Sequence, residues 1–260
     1  MIIDINAWIG AWPTLPVAGD PAEVAEKLAA WGVTRAYVSP LEAAWAINPH
    51  TTNDAVYGAA EVHELLSPTP VIDPTVATWQ DELARAASHH DVVMIRLLPT
   101  YHAYDLNENM QADALVAAAQ GAGLAVMVQT KIDDPRRHHP LAMVPTLPVD
   151  AVISLARRHP QARVIIGGAD VYSVLGSAAA FGELEHLYAD VSQVDSFDGV
   201  LDLVRAELTP RLLFGSHVPV FGIAAAMSRV ALDLADADAA AVFRGNAVRA
   251  LELDSDHAGQ

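Results

Sequence analysis

The sequence contains no cysteine, few basic residues and no long hydrophobic run. Without cysteine there is no disulfide, thiolate ligand or cysteine nucleophile, so any metal would need histidine, aspartate or glutamate. Only 15 lysines and arginines stand against 32 aspartates and glutamates, and the net charge of −17 repels phosphate backbones and anionic membranes. No apolar run approaches the ~18 residues of a membrane span, and the first ten residues have no basic region. We therefore expect a soluble, cytoplasmic protein that binds neither nucleic acid nor membrane.

What the chain does contain is apolar material in a repeating arrangement. Hydrophobic residues make up 52% of the 260 residues, enough for a large buried core. Eight short β-branched runs alternate with alanine-rich helical stretches, which is typical of repeated βα units. The predicted strands are Ile2–Asn6, Thr34–Ser39, Thr69–Asp73, Val92–Leu97, Leu124–Gln129, Arg163–Gly167, Leu187–Val191 and Arg211–Gly215. The predicted helices are Pro21–Trp31, Asp54–Leu66, Trp79–Ser88, Gln111–Gln120, Val149–Arg158, Ala178–His186, Phe197–Glu207, Ile223–Leu234 and Asp238–Leu251.

Eight βα units predict an α/β fold whose strands close into a (β/α)8 TIM barrel, followed by two extra C-terminal helices. An open doubly wound sheet is the alternative, but no G-x-G-x-x-G follows any strand. No linker or change of composition divides the chain. We predict one domain over residues 1–253 and a flexible tail over residues 254–260. The sequence leaves open whether the protein forms a homo-oligomer, because outer barrel helices often pair subunits.

Unusual polar and aromatic side chains follow several of the predicted strands. In a barrel, the active site is built at the carboxyl ends of the strands and in the loops after them. The candidates at these positions are Asn6, Trp8, Arg96, Tyr101, His102, Gln129, Asp133, Arg136, His139 and His217. His217 and His102 are the candidate acid–base groups, because an imidazole titrates near pH ~6.5. Asp133 joins them in the catalytic set, and the other candidates are expected to bind substrate.

Arg96 is the most specific of these signals. Its guanidinium interrupts an apolar strand, so it must either be paired or face a pocket. A structural ion pair with Asp4 on the first strand is the plain alternative. The run of charged residues from Asp133 to His139 is likewise either an ordinary surface loop or part of the site, where Arg136 would offer a planar fork to a carboxylate.

Four segments resemble the amidohydrolase superfamily, in particular its amidohydrolase-related branch of metal-dependent hydrolases, lactonases and aromatic-acid decarboxylases. The first ten residues resemble the strand-one segment of that branch, and residues 96–104 resemble its strand-four segment. Residues 211–219 and 245–251 are similar to its closing motifs. The resemblance spans nearly the whole chain and implies the same barrel.

The metal ligands of that branch do not carry over to this chain. Asn6 and Trp8 stand where the resemblance implies a His-x-His pair, and Gln129 replaces the strand-five histidine. Glycine replaces the strand-six histidine, and His217 replaces the strand-eight aspartate. Indole, neutral amides and glycine are poor ligands, so we expect no tightly bound zinc and no cofactor. A weak or relocated divalent site stays open, using ligands among Asp4, His102, His139 and His217.

These features favour an enzyme that acts on a small carboxylate or lactone without zinc. Hydrolysis of an acyl bond would use His217 as base, while Arg96 and Arg136 hold the anion. A non-catalytic small-molecule-binding pseudoenzyme is the alternative from another class. A third reading, decarboxylation, follows from the resemblance alone.

Overall fold

The computed structural model describes residues 1–138 and 143–253, in which parallel strands alternate with helices. The strands are β1 (Ile2–Ile9), β2 (Val33–Pro40), β3 (Leu66–Pro68), β4 (Met94–Leu97), β5 (Ala125–Gln129), β6 (Val164–Gly167), β7 (Leu187–Asp190) and β8 (Leu212–Leu213). The helices are α1 (Pro21–Ala29), α2 (Asp54–Val62), α3 (Trp79–Ser88), α4 (Met110–Gly121), α5 (Val149–Arg158), α6 (Val171–Gly176), α7 (Ala178–Glu183), α8 (Gly199–Arg205), α9 (Ile223–Ala231), α10 (Asp236–Ala240) and α11 (Asn246–Ala250). The strands pair in the orders β1-β2-β3 and β4-β5-β6-β7-β8.

Two seams of backbone hydrogen bonds join these groups of strands into one ring. At the first seam, the Arg96 N–H of β4 donates to the Pro70 carbonyl at 2.9 Å, and Ile72 N–H donates to the Arg96 carbonyl at 3.0 Å. At the second seam, the Ile5 N–H of β1 donates to the carbonyl of Phe214, just after β8, at 3.0 Å. The sheet therefore closes on itself, and the predicted (β/α)8 TIM barrel is confirmed.

The first helix illustrates why the alternating pattern folds as it does. Asp20 caps α1 by accepting two N–H bonds from its first turn, at 2.9 and 3.4 Å, and Pro21 opens the helix with its fixed φ. Val24 and Leu28, one turn apart, bury the face that packs on the barrel. Gly32, at φ +79°, then turns the chain into β2.

An irregularity in β1 decides which of its side chains enter the barrel. The pairing of β1 with β2 shifts register between Asp4 and Ala7. Ile5 belongs to the apolar cluster inside the barrel, whereas Ala7 and Ile9 belong to the layer between the barrel and the helices. Because a bulge re-aims side chains, Asn6 enters the barrel interior directly after Ile5.

The third predicted strand, Thr69–Asp73, is displaced in the structure. Regular pairing covers Leu66–Pro68 instead, and within the described residues a single bridge beyond it links Val71 to Arg96. Prolines at positions 68 and 70 have no N–H to donate, so they interrupt the ladder at this point.

Other elements differ in extent. The helix predicted over Ala178–His186 begins at Ala178 but ends at Glu183, and α6 forms before it. The last predicted helix, Asp238–Leu251, is interrupted by a π-helical turn over Ala241–Gly245. The strand predicted over residues 211–215 shrinks to β8, because a short 3-10 turn containing Pro210 precedes it.

Among the described residues, no helix is long and apolar enough to cross a membrane. The predicted tail, residues 254–260, lies outside the described residues, and the single domain over residues 1–253 stays a prediction.

Candidate ligand site at the mouth of the barrel

Four side chains from different strands form one hydrogen-bonded network inside the barrel. Arg96 Nη1 donates to Asn6 Oδ1 at 2.8 Å and to Gln129 Oε1 at 3.4 Å. Asn6 Nδ2 in turn donates to Asp190 Oδ2 at 2.5 Å and to Gln129 Oε1 at 3.3 Å. All four side chains are fully buried. The network thus ties β1, β4, β5 and β7 together.

The Arg96 guanidinium is held over the ring of Trp8, with its carbon 3.9 Å from the ring centroid. Such a desolvated cation–π contact contributes about 2 kcal/mol. Burial lowers the pKa of Arg96 to about 9, against the attraction of Asp190 and Asp4, so the group is still charged at neutral pH. Its Nε and Nη2 have no hydrogen-bond partner within the described part of the chain.

Two carboxylates, Asp4 and Asp190, lie inside the barrel near this cation. Asp4 Oδ1 accepts the N–H groups of Asn6 at 3.1 Å and Ser216 at 3.0 Å. Asp190 Oδ1 accepts the N–H of Ser192 at 2.7 Å. Burial raises the pKa of Asp4 to about 6 and also raises that of Asp190. Within the described residues neither forms an ion pair within 4.0 Å, so neutral donors hold both carboxylates.

His217 is buried beside this network in a defined tautomer. Its Nε2 lies 2.7 Å from the Ile132 carbonyl and must donate to it, which leaves Nδ1 unprotonated. Nδ1 has no partner among the residues described. Burial, followed by the charge of Arg96, lowers the pKa of His217 to about 3. His217 is therefore neutral at physiological pH, and its Nδ1 is a hydrogen-bond acceptor of low basicity.

An aromatic cover closes the barrel above the network. Trp12, Trp45 and Tyr101 contact one another edge-on or tilted, with centroids 5.7 to 6.0 Å apart. Trp12 Nε1 donates to Asp133 at 3.0 Å, and Arg137 forms an ion pair with the same carboxylate. The aromatic cover and this loop shield the network from solvent.

An open cavity of about 570 Å³ lies beside the cover, among the loops that follow β5, β6, β7 and β8. It is lined by Lys131, Asp134, Arg136, Asp170, Tyr172, Ser192, Gln193, Asp195, Ser216, Phe221, Gly222, Ala225 and Arg229. Ser192 and Ser216 bond through their backbone N–H groups to Asp190 and Asp4. We call this cavity the side pocket, and these two serines connect it to the buried network.

The side pocket contains two cations that form no direct ion pair with a described carboxylate, although Asp170 and Asp195 line the same cavity. Lys131 and Arg229 form no ion pair within 4.0 Å in the described ranges, and the buried Nε of Arg229 lacks a hydrogen-bond partner there. Arg136 differs, because Asp134 holds it by three side-chain bonds of 2.5 to 3.0 Å. Burial lowers the pKa of Arg229, with Asp195 and Asp233 acting in the opposite direction. Lys131 and Arg229 are therefore the cations of the side pocket whose N–H groups are not held in a direct ion pair among the described residues.

The structure brings five of the sequence-predicted residues together inside the barrel. They are Asn6, Trp8, Arg96, Gln129 and His217. Tyr101 and Asp133 lie in the aromatic cover and its loop, and the exposed Arg136 lies at the rim of the side pocket. His139 lies outside the described residues.

His102 belongs to a different buried cluster, on the β2 and β3 side of the barrel. Its Nε2 donates to the Ala43 carbonyl at 3.0 Å, and its Nδ1 lies 3.6 Å from the Asp73 carboxylate. His50 accepts the Asp73 N–H at 3.1 Å. Burial lowers the pKa of both histidines. The two predicted acid–base groups, His102 and His217, therefore do not share a cavity.

Sequence reasoning missed several residues of the network and the side pocket. Asp190 ends β7, where an acidic residue at the carboxyl end of a strand could have been noted. Lys131 follows β5 and carried the same positional signal. Arg229 lies on α9, after the last strand, where nothing separates it from an ordinary surface arginine.

The residues inside the barrel do not suit a divalent metal. The oxygens that could ligate an ion there belong to the carboxylates of Asp4 and Asp190 and to the amides of Asn6 and Gln129, and both amide oxygens already accept from Arg96. An ion bonded to them would lie about 4 Å from the guanidinium, and the repulsion is about 8 kcal/mol for a dication at an effective dielectric of ~20. The donor geometry agrees: the described residues contain one close triad of metal-ligating side chains, His89, His90 and Asp91, which precedes β4 at the opposite end of the barrel.

Glycines next to Gln129 reinforce this arrangement. A Cβ at Gly167 would lie 2.6 Å from Gln129 Oε1, and one at Gly168 would lie 2.5 Å from Gln129 Nε2. Gly168 also has φ +70°, which side chains rarely adopt. A histidine therefore does not fit at the end of β6 while Gln129 fills the space.

Comparison with known proteins agrees with this fold. A family model described as amidohydrolase matches residues 9–253, and the chain belongs to that family. A search of curated proteins finds no match. Similar solved structures include 2,6-dihydroxybenzoate decarboxylase from Rhizobium, with TM-score 0.74 and 15% identity over 98% of this chain and 99% of that chain. The 5-carboxyvanillate decarboxylase from Sphingomonas paucimobilis has TM-score 0.73 and 13% identity over 97% and 99%.

A probable 2-pyrone-4,6-dicarboxylic acid hydrolase from Acinetobacter baumannii, with citric acid bound, has TM-score 0.68 and 12% identity over 97% of this chain and 99% of that chain. At these identities the solved structures establish the fold of this chain and nothing further. The solved structures that share this fold thus include proteins named as decarboxylases and one named as a probable hydrolase.

Proposed function

We propose that this chain binds a small organic carboxylate in the side pocket and does not carry out zinc-dependent hydrolysis inside the barrel. The observation that carries the proposal is the pair of cations without a direct ion pair among the described residues, Lys131 and Arg229, in a cavity of about 570 Å³. That volume suits a small molecule, for which pockets of about 300–1,000 Å³ are usual.

The polar groups of the side pocket suit a carboxylate with further oxygen substituents. Arg229 would present a planar fork to one carboxylate, and Lys131 would supply a point charge. Ser192, Gln193 and Ser216 line the same cavity and offer hydroxyl and amide groups for a second carboxylate or a hydroxyl.

The charge of the whole protein limits how such a ligand arrives. A net charge of −17 repels anions at long range, so attraction must come from the side pocket itself. Added salt screens that repulsion and the local attraction alike over about 8–10 Å near physiological ionic strength. We expect slow association without electrostatic steering.

Names of structural relatives point to the same ligand class. One decarboxylase is a complex with 2,6-dihydroxybenzoate, and the probable pyrone hydrolase holds citric acid. These ligands belong to those proteins, and they serve here as probes.

A lactonase or related acyl hydrolase that needs no zinc is the second candidate. The observation that favours it is the unpartnered Nδ1 of His217, which the bond to Ile132 leaves free to accept a proton from water. With a pKa of about 3, His217 is a weak base. A turnover that depends on it would therefore be slow and nearly independent of pH between 5 and 8. Decarboxylation has support only from the relatives.

The experiment combines binding and turnover. Citrate, 2,6-dihydroxybenzoate and 2-pyrone-4,6-dicarboxylate are titrated calorimetrically into the chain and into Arg229→Met and Lys131→Met, and each mixture is assayed for product. The control is Arg205→Met, which removes an exposed arginine paired with Asp202 on α8.

Loss of a charge-assisted hydrogen bond costs about 1.5–3 kcal/mol, so either pocket variant should bind about 10- to 100-fold more weakly, with Arg205→Met unchanged. Binding that survives both pocket variants would overturn the proposal. Turnover of the pyrone that disappears in His217→Gln would establish the second candidate.

A further inference from the structure

The charges buried inside the barrel leave a negative excess. Asp4 and Asp190 are both fully buried, and of the described cationic side chains only Arg96 is fully buried. The other buried acids have neighbours of their own: Asp133 pairs with Arg137, Glu82 lies 3.9 Å from Arg85, and Asp73 lies 3.6 Å from His102. Arg96 alone therefore serves two carboxylates.

Asn6 connects Arg96 to both carboxylates through hydrogen bonds. Its Oδ1 accepts a hydrogen bond from Arg96 Nη1 at 2.8 Å, and its Nδ2 donates one to Asp190 Oδ2 at 2.5 Å. Its backbone N–H donates to Asp4 at 3.1 Å. One residue thus links the cation to both carboxylates, without a direct ion pair in the described residues.

We propose that Arg96 is the internal cation of this barrel and takes the place of a divalent metal ion in neutralising Asp4 and Asp190. The guanidinium donates hydrogen bonds to the side-chain oxygens of Asn6 and Gln129, which a metal ion would need as ligands, and its charge repels a second cation. Barrel integrity therefore needs no metal. This inference goes beyond ligand binding in the side pocket and stands independently of it.

Removing the guanidinium charge creates the opposite condition. The charges of Asp4 and Asp190, which act on Arg96 in the wild type, are then unopposed beside the amide oxygens of Asn6 and Gln129, and Asp4 Oδ2 has no hydrogen-bond partner within the described residues. Hard divalent ions prefer oxygen ligands of this kind. Arg96→Met therefore converts a site that excludes metal into one that binds it.

The test compares wild type, Arg96→Met, Arg96→Lys and the double variant Arg96→Met with Asp190→Asn. Each protein is incubated with MnCl2 and desalted, its manganese content is measured by mass spectrometry, and its thermal midpoint is recorded with and without the ion. Arg96→Lys is the matched control, because it keeps a buried positive charge.

We expect well under one manganese ion per chain in wild type and Arg96→Lys, with no change in thermal midpoint. Arg96→Met should retain about one ion per chain and melt higher with manganese, and Asp190→Asn should abolish both effects. If Arg96→Met unfolds without metal, its refolding in MnCl2 but not in EDTA also supports the proposal. Near-stoichiometric metal in the wild-type barrel overturns it, as does an Arg96→Met that neither binds manganese nor refolds with it.

Discussion

Replacing Asp4 by asparagine should stabilise the protein increasingly as pH rises. Burial raises the pKa of Asp4 from 3.8 to about 6, so the folded state holds its proton more tightly than the unfolded chain. Stability linked to this group is therefore present below pH ~4 and lost as pH rises through 6, by about 3 kcal/mol in total. Asparagine does not titrate and escapes that loss.

The local geometry allows the exchange. The asparagine oxygen can accept the same N–H groups of Asn6 and Ser216, and its amide replaces Asp4 Oδ2, which has no partner in the described residues. An unpaired amide costs about 1 kcal/mol at every pH and does not affect the slope. The remaining Asp190 and Arg96 charges then balance.

Urea unfolding followed by tryptophan fluorescence at pH 4.5, 5.5, 6.5 and 7.5 measures the effect. Relative to wild type, Asp4→Asn should gain about 2 kcal/mol between the lowest and highest pH. The exposed Asp81→Asn on α3 is the control and should show no such gain. A constant difference between Asp4→Asn and wild type across this range would refute the reasoning.

Three further substitutions, each measured by urea unfolding, test an ion pair, the packing of a helix and a glycine of the barrel. Arg137→Ala leaves the buried Asp133 carboxylate without its cation and should cost about 2 kcal/mol, the partial exposure of the pair reducing the usual penalty; a loss under about 0.5 would contradict this. Leu28→Ala should cost about 3 kcal/mol by opening a cavity under α1, and an unchanged midpoint would contradict that packing. Gly168→Ala should cost about 2 kcal/mol, because φ +70° and the contact with Gln129 Nε2 both oppose a Cβ; a neutral effect would contradict both.

The fold was predictable because its signals are local and repeated. Each βα unit shows its own apolar run, and some helices also begin at a capping residue, as α1 does at Asp20, so eight units could be counted without knowing how they meet. Strand lengths were less predictable. Whether residues near Pro70 or Pro210 pair with a neighbour depends on hydrogen-bond geometry that a single sequence does not contain.

The site was predictable only where a charged residue interrupted an apolar segment of the sequence. Arg96 did so, because a guanidinium within an apolar strand requires partners inside the barrel. His102 did not, because the path of the loop after β4 decides whether it meets His217 or, as found, the Ala43 carbonyl. Arg229 lies far along the chain on an outer helix, and only the folded structure brings it to the side pocket.

The most direct test of the account is a pair of crystal structures of the wild-type chain, one grown with citrate and the other, because citrate chelates manganese, grown without it in MnCl2 and measured by anomalous scattering. The account predicts citrate bound against Lys131 and Arg229, with no manganese peak between Asp4 and Asp190. A manganese ion held by those two carboxylates, with Arg96 displaced, would contradict it.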